Sequence, residues 1–259
     1  MKFNRHPLYG KLKLFIFDLD NTALGGYVPY VRFPDKFCKF LDDLYCNGCN
    51  WAINTTWDPH GQWELVRQSR VKSHPLFYMG EFGRTIAEDT ETDAVPLKNY
   101  LKKNDDKIKY IREKYMDVLF KKIITSFPIE KVFHYGHLFQ VILPAGQGAA
   151  LNDFILSEKE KYDEIEIIAT ENSVSARPSF LNKGLAVREV MRLTGIKANE
   201  ILTAGDEKAD IAMMSEKYSV YSVCPSNASD EVKKCVIKKG GHIGNGKYSD
   251  GVMEAFYSY

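Results

Sequence analysis

Two aspartates directly follow a short apolar run near the start of the chain. Residues 14–17 are LFIF, Asp18 and Asp20 come next, and Thr22 follows. Alternate carboxylates at the end of a buried strand can act as catalytic groups, as a nucleophile or as a general acid or base. Paired carboxylates also occur as loop caps, so this segment alone leaves both interpretations open.

Three further polar signals lie where strands end or helices begin. Thr55 follows the apolar run 51–53, close to the start of a predicted helix, which suits a phosphate oxygen. Lys183 opens a helix and can bring positive charge to an anion. Asp206 and Asp210 can direct two carboxylates to one point, and Mg²⁺ prefers such oxygen ligands. Each residue taken singly also has an ordinary structural explanation.

The elements around these residues predict how they are positioned. Apolar runs at 14–17, 51–53 and 76–79 alternate with helical patterns at 34–45 and after Asp58. This order predicts an α/β fold with a Rossmann-like, doubly wound parallel sheet. Open sheets of this kind bind ligands at the carboxyl ends of their strands, so the four signals are expected along one edge.

The alternation breaks in the middle of the chain. A long amphipathic helix is predicted over 104–127, and the apolar patterns after it favour an antiparallel sheet. The strand-helix alternation then resumes, with helices predicted over 183–193 and 209–214. We therefore predict a core formed by residues 1–85 and 177–259, with an inserted α+β cap domain over 86–176.

The order of the four signals is more specific than any one of them. Asp-x-Asp-x-Thr, then Thr, then Lys, then Gly-Asp-x-x-x-Asp resembles the haloacid dehalogenase (HAD) superfamily of phosphohydrolases. The resemblance implies that Asp18 is the nucleophile and that Asp20 is the general acid and then the base. Thr22 would support the loop and contact the substrate.

The resemblance also implies how the phosphoryl group is held. Thr55 would bind it, with Thr56 as an alternative, and Lys183 would offset negative charge on Asp18 and the phosphate. Arg177 is a further candidate for substrate binding, where the cap would rejoin the core, and its other interpretation is a surface charge.

The implied cofactor is Mg²⁺, with Asp18, Asp20, Asp206 and Asp210 as the metal site. A carboxylate nucleophile must stay ionised beside a phosphate dianion, which is electrostatically unfavourable without positive charge. The cation and Lys183 are therefore expected together.

The position of the insertion, between Thr55 and Lys183, resembles the Cof-type (class IIB) branch of the superfamily. The sequence departs from that branch in three places. Residues 54–57, Asn-Thr-Thr-Trp, stand where Ala-Thr-Gly-Arg is frequent, Ala209 replaces a frequent Asn, and residues 81–83 replace a frequent Asn-Gly.

The predicted function is a Mg²⁺-dependent phosphatase of small phosphorylated metabolites, such as sugar or polyol phosphates, that works through an aspartyl-phosphate. One alternative is a phosphomutase, which returns the phosphoryl group to a hexose phosphate. The other is a catalytically silent protein of the same fold that only binds its ligand.

The composition excludes several other classes of function. Of 259 residues, 44% are apolar and 27% charged, and Lys and Arg number 35 against 34 for Asp and Glu. A net charge of +1 gives no excess to attract nucleic acid or anionic lipid. We expect neither of these partners, and nothing in the sequence indicates an obligate protein partner.

The N-terminal stretch Leu12–Phe17 does not predict a signal peptide or a membrane span. Lys13 interrupts it, and a span needs about 20 apolar residues. Five cysteines, an odd number in a chain of this size, favour a reducing cytoplasm.

Overall fold

The chain folds into two compact units. The structure is a computed structural model that describes residues 6–26 and 31–259. The first unit is formed by residues 1–98 and 182–259, and the second by residues 99–181. The second unit therefore begins and ends later than the predicted insertion at 86–176.

The described residues form twelve strands and eight α-helices. In chain order the strands are β1 (Leu14–Phe17), β2 (Asn50–Asn54), β3 (Tyr78–Gly80), β4 (Thr85–Asp89), β5 (Ala94–Pro96), β6 (Lys131–His134), β7 (Phe139–Ile142), β8 (Ile165–Ala169), β9 (Ser173–Pro178), β10 (Ile201–Ala204), β11 (Tyr221–Cys224) and β12 (His242–Ile243). The helices are α1 (Asp35–Cys46), α2 (Pro59–Gln68), α3 (Lys98–Ile111), α4 (Asp117–Ser126), α5 (Gly148–Glu158), α6 (Lys183–Thr194), α7 (Asp230–Lys238) and α8 (Tyr248–Phe256).

The first unit is built on an eight-stranded sheet in the order β12-β11-β10-β1-β2-β3-β4-β5. The pairs from β12 to β3 are parallel, and β4 and β5 add antiparallel strands at one end. Phe17 at the end of β1 pairs with Ala204 on β10 and with Ile53 on β2. β2 and β3 follow on one side of β1, and β10, β11 and β12 continue on its other side, so the predicted doubly wound strand order is confirmed.

The apolar sequence of β1 explains its central position. All four of its residues are buried, as expected for a strand that is covered by helices on both faces. The Phe17 ring lies 5.2 Å from that of Phe37 on α1 and 5.9 Å from that of Trp51 on β2, measured between centroids. This packing fixes the strand end that carries Asp18.

The start of α6 is fixed by two local features. Asn182 caps the helix by accepting a hydrogen bond from the Leu185 N–H at 3.1 Å. A Cβ at Gly184 would lie 2.7 Å from the Ala212 carbonyl oxygen, so only glycine allows this close approach. Lys183 is thereby held in the first turn of the helix, facing the sheet edge.

The second unit contains a four-stranded antiparallel sheet in the order β6-β7-β9-β8. Its buried cluster includes Ile123, Phe139, Val141, Leu151 and Val174. The second unit thus contains helices and an antiparallel sheet, as predicted for the inserted α+β domain.

Two predicted helices differ from the observed ones. The helix predicted over 104–127 already begins at Lys98, and a π-helical turn at Arg112–Met116 separates α3 from α4. The helix predicted over 209–214 is a 3₁₀ turn at Lys208–Ala212. Among the helices of the described residues, none has the length and apolarity to cross a membrane.

Candidate active site

Lys183 joins the carboxylates of two different loops. Its Nζ donates to Asp18 Oδ1 at 2.6 Å and to Asp210 Oδ1 at 2.5 Å. The Lys183 side chain is only 3% exposed, and the Asp18 and Asp210 side chains are 8% and 0% exposed. A buried ammonium between two buried carboxylates holds the loops after β1 and β10 together.

Asp210 also shapes the loop that precedes it. Its Oδ2 accepts hydrogen bonds from the backbone N–H groups of Asp206 and Glu207, both at 2.9 Å. Since Lys183 binds its Oδ1, both oxygens of Asp210 are occupied by contacts within the protein. Asp210 therefore positions Asp206 as well as Lys183.

The turn after β1 brings Thr22 back to Asp206. The Leu19 carbonyl oxygen accepts from the N–H groups of Thr22, Ala23 and Leu24, which closes the turn. The buried Thr22 hydroxyl then donates to Asp206 Oδ1 at 2.9 Å. Thr22 thus orients a carboxylate from within its loop, and its contact with the substrate stays a prediction.

Three of the four predicted metal ligands form one cluster. Asp18, Asp206 and Asp210 each offer a carboxylate oxygen, and these oxygens lie within 4.8 Å of one another. Hard carboxylate oxygens in this number fit Mg²⁺, which is commonly bound through one or two carboxylates and keeps several waters. Asp20 is not part of this cluster.

Burial changes the proton affinity of two members of the cluster. It raises the pKa of Asp18 from 3.8 to about 7, against the opposing effect of Lys183. Burial likewise raises the pKa of Asp206 to about 7, against the hydrogen bond from Thr22. Burial alone would lower the pKa of Lys183, but its ion pairs with Asp18 and Asp210 together raise it, so Lys183 stays charged.

These shifts predict how the stability of the metal-free protein depends on pH. Between about pH 4 and pH 7 the folded protein retains protons on Asp18 and Asp206 that the unfolded chain releases, so stability falls as the pH rises through this window. We expect a melting temperature in EDTA that is several degrees lower at pH 8 than at pH 5, measured by differential scanning fluorimetry.

The Asp206→Asn variant is the matched control for this pH effect. It removes one of the two titrating carboxyls, so its melting temperature should fall less over the same range. Mg²⁺ should stabilise the wild type more at pH 8 than at pH 5, because both carboxylates are then ionised. An identical pH dependence in wild type and variant would contradict the prediction.

Asn54 ends β2 and Thr55 follows it, and the side chain of each carries a buried oxygen. Within residues 6–26 and 31–259, neither Asn54 Oδ1 nor Thr55 Oγ1 has a hydrogen-bond partner. Asn54 Nδ2 donates to the Lys183 carbonyl oxygen at 2.9 Å, which ties β2 to the start of α6. The Thr55 hydroxyl is a donor and fits an external acceptor such as a phosphate oxygen.

Asp20 lies apart from the cluster and contacts an aromatic residue. The Trp57 indole N–H donates to Asp20 Oδ2 at 2.8 Å, and Asp20 is partly buried. The sequence did not predict this contact with Asp20. The position of Trp57 two residues after Thr55, where the related branch often has Arg, was the available signal.

The other two predicted substrate contacts lie in different surroundings. Thr56 is exposed beside Thr55. Arg177 is buried on β9 of the second unit, where it donates to the Leu181 carbonyl oxygen at 2.5 Å and pairs with Glu166. The guanidinium of Arg177 is thus engaged within its own unit, and its role in substrate binding stays a prediction.

A cavity of about 350 Å³ borders Asp206. It is lined by Asn21, Asp206, Glu207, Asn227, Ser229 and Tyr248. Asn227 links two of its walls, because its Nδ2 donates to the Asn21 carbonyl oxygen and its Oδ1 accepts from the Tyr248 N–H, both at 2.8 Å. The acidic cluster therefore has an open space beside it within the first unit.

Comparison with known proteins finds a family model that matches the second half of the chain. A family model described as haloacid dehalogenase-like hydrolase matches residues 137–256, which contain Lys183, Asp206 and Asp210. Over this segment, a little under half of the chain, the protein is similar to the haloacid dehalogenase-like hydrolases. The resemblance predicted from the sequence is confirmed.

One curated relative of this chain is a phosphoglycolate phosphatase from Methanosarcina acetivorans. It is 24% identical over 100 residues, which are 39% of this chain and 41% of the relative. The match thus spans about two fifths of that relative's length.

Solved structures of HAD-like hydrolases extend the likeness over nearly the whole chain. The sucrose-phosphatase from Synechocystis, solved with sucrose and phosphate, has a TM-score of 0.66 at 19% identity and covers 96% of this chain and 97% of its own. A haloacid dehalogenase-like hydrolase from Bacillus subtilis has a TM-score of 0.56 at 16% identity, with coverage of 96% and 88%. At these identities the likeness establishes the fold.

Proposed function

We propose that this protein is a Mg²⁺-dependent phosphatase of small phosphorylated metabolites. The observation that carries the proposal is the buried Lys183 ammonium between Asp18 and Asp210, with Asp206 in the same cluster. A nucleophilic carboxylate next to a phosphate dianion needs this concentration of positive charge. The match of residues 137–256 to the haloacid dehalogenase-like hydrolases supports the same chemistry.

Asp18 and Asp206 are the residues that would supply the direct ligand oxygens to Mg²⁺. Asp210 already has both oxygens bonded, so we assign it the positioning of Lys183 and of the loop. A bound Mg²⁺ would neutralise charge on the phosphate and favour the ionised form of the nucleophile. Asp20, a predicted ligand, lies outside the cluster and keeps its proposed acid-base role.

The first half of the reaction transfers the phosphoryl group to the protein. A carboxylate oxygen of Asp18 attacks phosphorus while the bond from phosphorus to the leaving oxygen breaks. Asp20 gives its proton to that leaving oxygen, so the alcohol departs neutral. Lys183 and Thr55 hold the phosphoryl oxygens, and Asp18 becomes an aspartyl-phosphate.

The second half returns Asp18 to its starting state. The now ionised Asp20 takes a proton from water as that water attacks the phosphorus of the aspartyl-phosphate. The bond from phosphorus to the Asp18 oxygen breaks, and inorganic phosphate leaves. One proton has passed from Asp20 to the product alcohol and another from water to Asp20, so the cycle balances.

A phosphate-release screen tests the proposed activity. The panel should contain sugar and polyol phosphates, 2-phosphoglycolate and a sucrose phosphate, since the last two are suggested by the names of the relatives. We expect release with Mg²⁺ and its loss in EDTA. No release from any substrate would contradict the proposal, and isomerised hexose phosphate without free phosphate would identify a phosphomutase.

The Thr55→Val variant separates phosphate binding from folding. Thr55 is fully buried, and its hydroxyl has no partner among the described residues, so valine removes no internal hydrogen bond. We expect unchanged or slightly higher thermal stability and a loss of about tenfold in kcat/KM, the size of one hydrogen bond to a charged group.

Thr203→Val is the matched control for Thr55→Val. Thr203 is equally buried, and its hydroxyl shares hydrogen bonds with Ser219 and Ser222 at 3.1 Å. This variant should lose about 1–2 kcal/mol of stability while the active fraction keeps its kcat/KM. If Thr55→Val lost stability and kept its activity, the hydroxyl would not be a phosphate ligand.

A further inference from the structure

Trp57 differs from the other tryptophans of this chain in the acceptor that its indole N–H contacts. The chain has three tryptophans. Trp51 donates its indole N–H to Ser73 Oγ at 2.9 Å, and Trp63 donates to the Thr90 carbonyl oxygen at 3.0 Å. Trp57 alone among them donates to a carboxylate, at 2.8 Å from Asp20 Oδ2.

The backbone on both sides of this contact is held in place. The side-chain amide of the fully buried Gln62 donates to the Trp57 carbonyl oxygen at 3.0 Å. A Cβ at Gly80 would lie only 2.5 Å from the same oxygen, so glycine lets β3 pack against Trp57. On the other side, the hydrogen bonds to the Leu19 carbonyl oxygen close the turn that contains Asp20.

The chemistry of the indole distinguishes the two oxygens of Asp20. An indole N–H donates and never accepts, so the oxygen that faces it must act as an acceptor. In a protonated carboxyl the carbonyl oxygen is the stronger acceptor, so this hydrogen bond favours the proton on the other oxygen, Oδ1. Because the indole is uncharged, it can stay bonded to both the ionised and the protonated carboxyl.

We propose that Trp57 is a positioning residue that holds Asp20 Oδ2 and thereby makes Oδ1 the oxygen that exchanges the proton with the leaving group and with water. The inference rests on the proposed phosphatase function. It assigns to this chain a neutral donor at a place where the related branch often has a charged arginine.

A leaving-group comparison tests the catalytic consequence. Protonation by Asp20 matters for an alkyl phosphate, whose alkoxide leaves poorly, and matters little for p-nitrophenyl phosphate. The Trp57→Phe variant should lose about tenfold in kcat/KM with the alkyl phosphate and less than about threefold with p-nitrophenyl phosphate. Trp63→Phe, which removes an indole donor outside the site, should change neither value.

Equal losses on the two substrates, or no loss on either, would overturn the proposal while leaving the phosphatase function intact. A wild-type protein that hydrolyses no phosphate ester would overturn both together. The two failures are therefore distinguishable from the wild-type measurement alone.

A spectroscopic measurement tests the contact without relying on activity. In ¹⁵N-labelled protein each tryptophan gives one indole N–H resonance, and the Trp57→Phe variant identifies that of Trp57. Asp20→Ala should shift the Trp57 resonance and leave those of Trp51 and Trp63 in place. An unmoved Trp57 resonance in folded Asp20→Ala protein would overturn the proposal.

Discussion

The Asp18→Asn variant is expected to release phosphate at least about 10³-fold more slowly than the wild type, because an amide oxygen is a far weaker nucleophile than a carboxylate. The loss should appear in kcat with every substrate that the wild type accepts. A continuous assay for inorganic phosphate under saturating Mg²⁺ measures it. Asp230→Asn, which alters an exposed carboxylate on α7, should keep wild-type activity.

The fold should survive the Asp18→Asn substitution. Asparagine keeps the shape of the side chain, and Lys183 retains Asp210 as an ionic partner at 2.5 Å. The melting temperature should therefore stay within a few degrees of that of the wild type. Wild-type turnover in the folded variant would exclude Asp18 as the nucleophile.

The Asp20→Asn variant tests independently whether an aspartyl-phosphate forms on Asp18. It keeps the nucleophile Asp18 and lacks the base that activates water, so the phosphorylated protein should accumulate. With p-nitrophenyl phosphate, whose leaving group needs little protonation, we expect a burst of nitrophenolate followed by slow turnover. Mass spectrometry should find the phosphoryl group on the peptide that contains Asp18.

The residues of the site could be predicted because they lie at the ends of buried parallel strands. The run LFIF specifies β1 by its apolarity alone, and Asp18 is the residue that follows it. The same holds for β10 and Asp206. Since parallel strands place their carboxyl ends along one edge, correct strands were enough to bring Asp18 and Asp206 together, and the start of α6 adds Lys183.

The limits of the second unit could not be predicted from the same kind of pattern. The last residues of β4 and β5 are partly or fully exposed, so no continuous apolar run marks these strands. They pair antiparallel at the end of the core sheet and depend on β3 for that position. The core therefore continues beyond residue 85, where the strand-helix alternation had ended.

The hydrogen-bond partners of individual side chains could not be predicted from the sequence either. The hydrogen bond from Thr22 to Asp206 joins residues 184 positions apart, and that from Trp57 to Asp20 joins residues 37 positions apart. Each depends on where a turn directs one side chain after the sheet has formed. Propensity and spacing constrain the turn but leave that direction open.

The Lys183→Met variant is expected to lose both activity and stability. Methionine keeps much of the side-chain volume and removes the charge that Asp18 and Asp210 share. We expect at least about 10³-fold slower phosphate release, because the nucleophile and the phosphate lose their fixed cation. Stability in EDTA at pH 8 should fall on the order of 3–5 kcal/mol, as for other buried ion pairs that lose one partner.

The pH dependence of this loss distinguishes a missing charge from a packing defect. At pH 5 Asp18, whose pKa is about 7, is already protonated in the folded protein, so the variant leaves less uncompensated charge there than at pH 8. The difference in melting temperature between wild type and Lys183→Met should therefore grow as the pH rises from 5 to 8. Mg²⁺ should reduce that difference at pH 8 by supplying positive charge to the same carboxylates.

The control for Lys183→Met is Arg192→Met on the same helix. Arg192 is 66% exposed and pairs with Glu189 one turn earlier, so solvent screens its charge and the substitution should change stability little at either pH. A deficit in Lys183→Met that was constant with pH would indicate altered packing alone. The difference in melting temperature between wild type and Lys183→Met measures how much the Lys183 charge stabilises the acidic cluster. If this difference grows with pH, the same balance of charges that catalysis requires also stabilises the first unit.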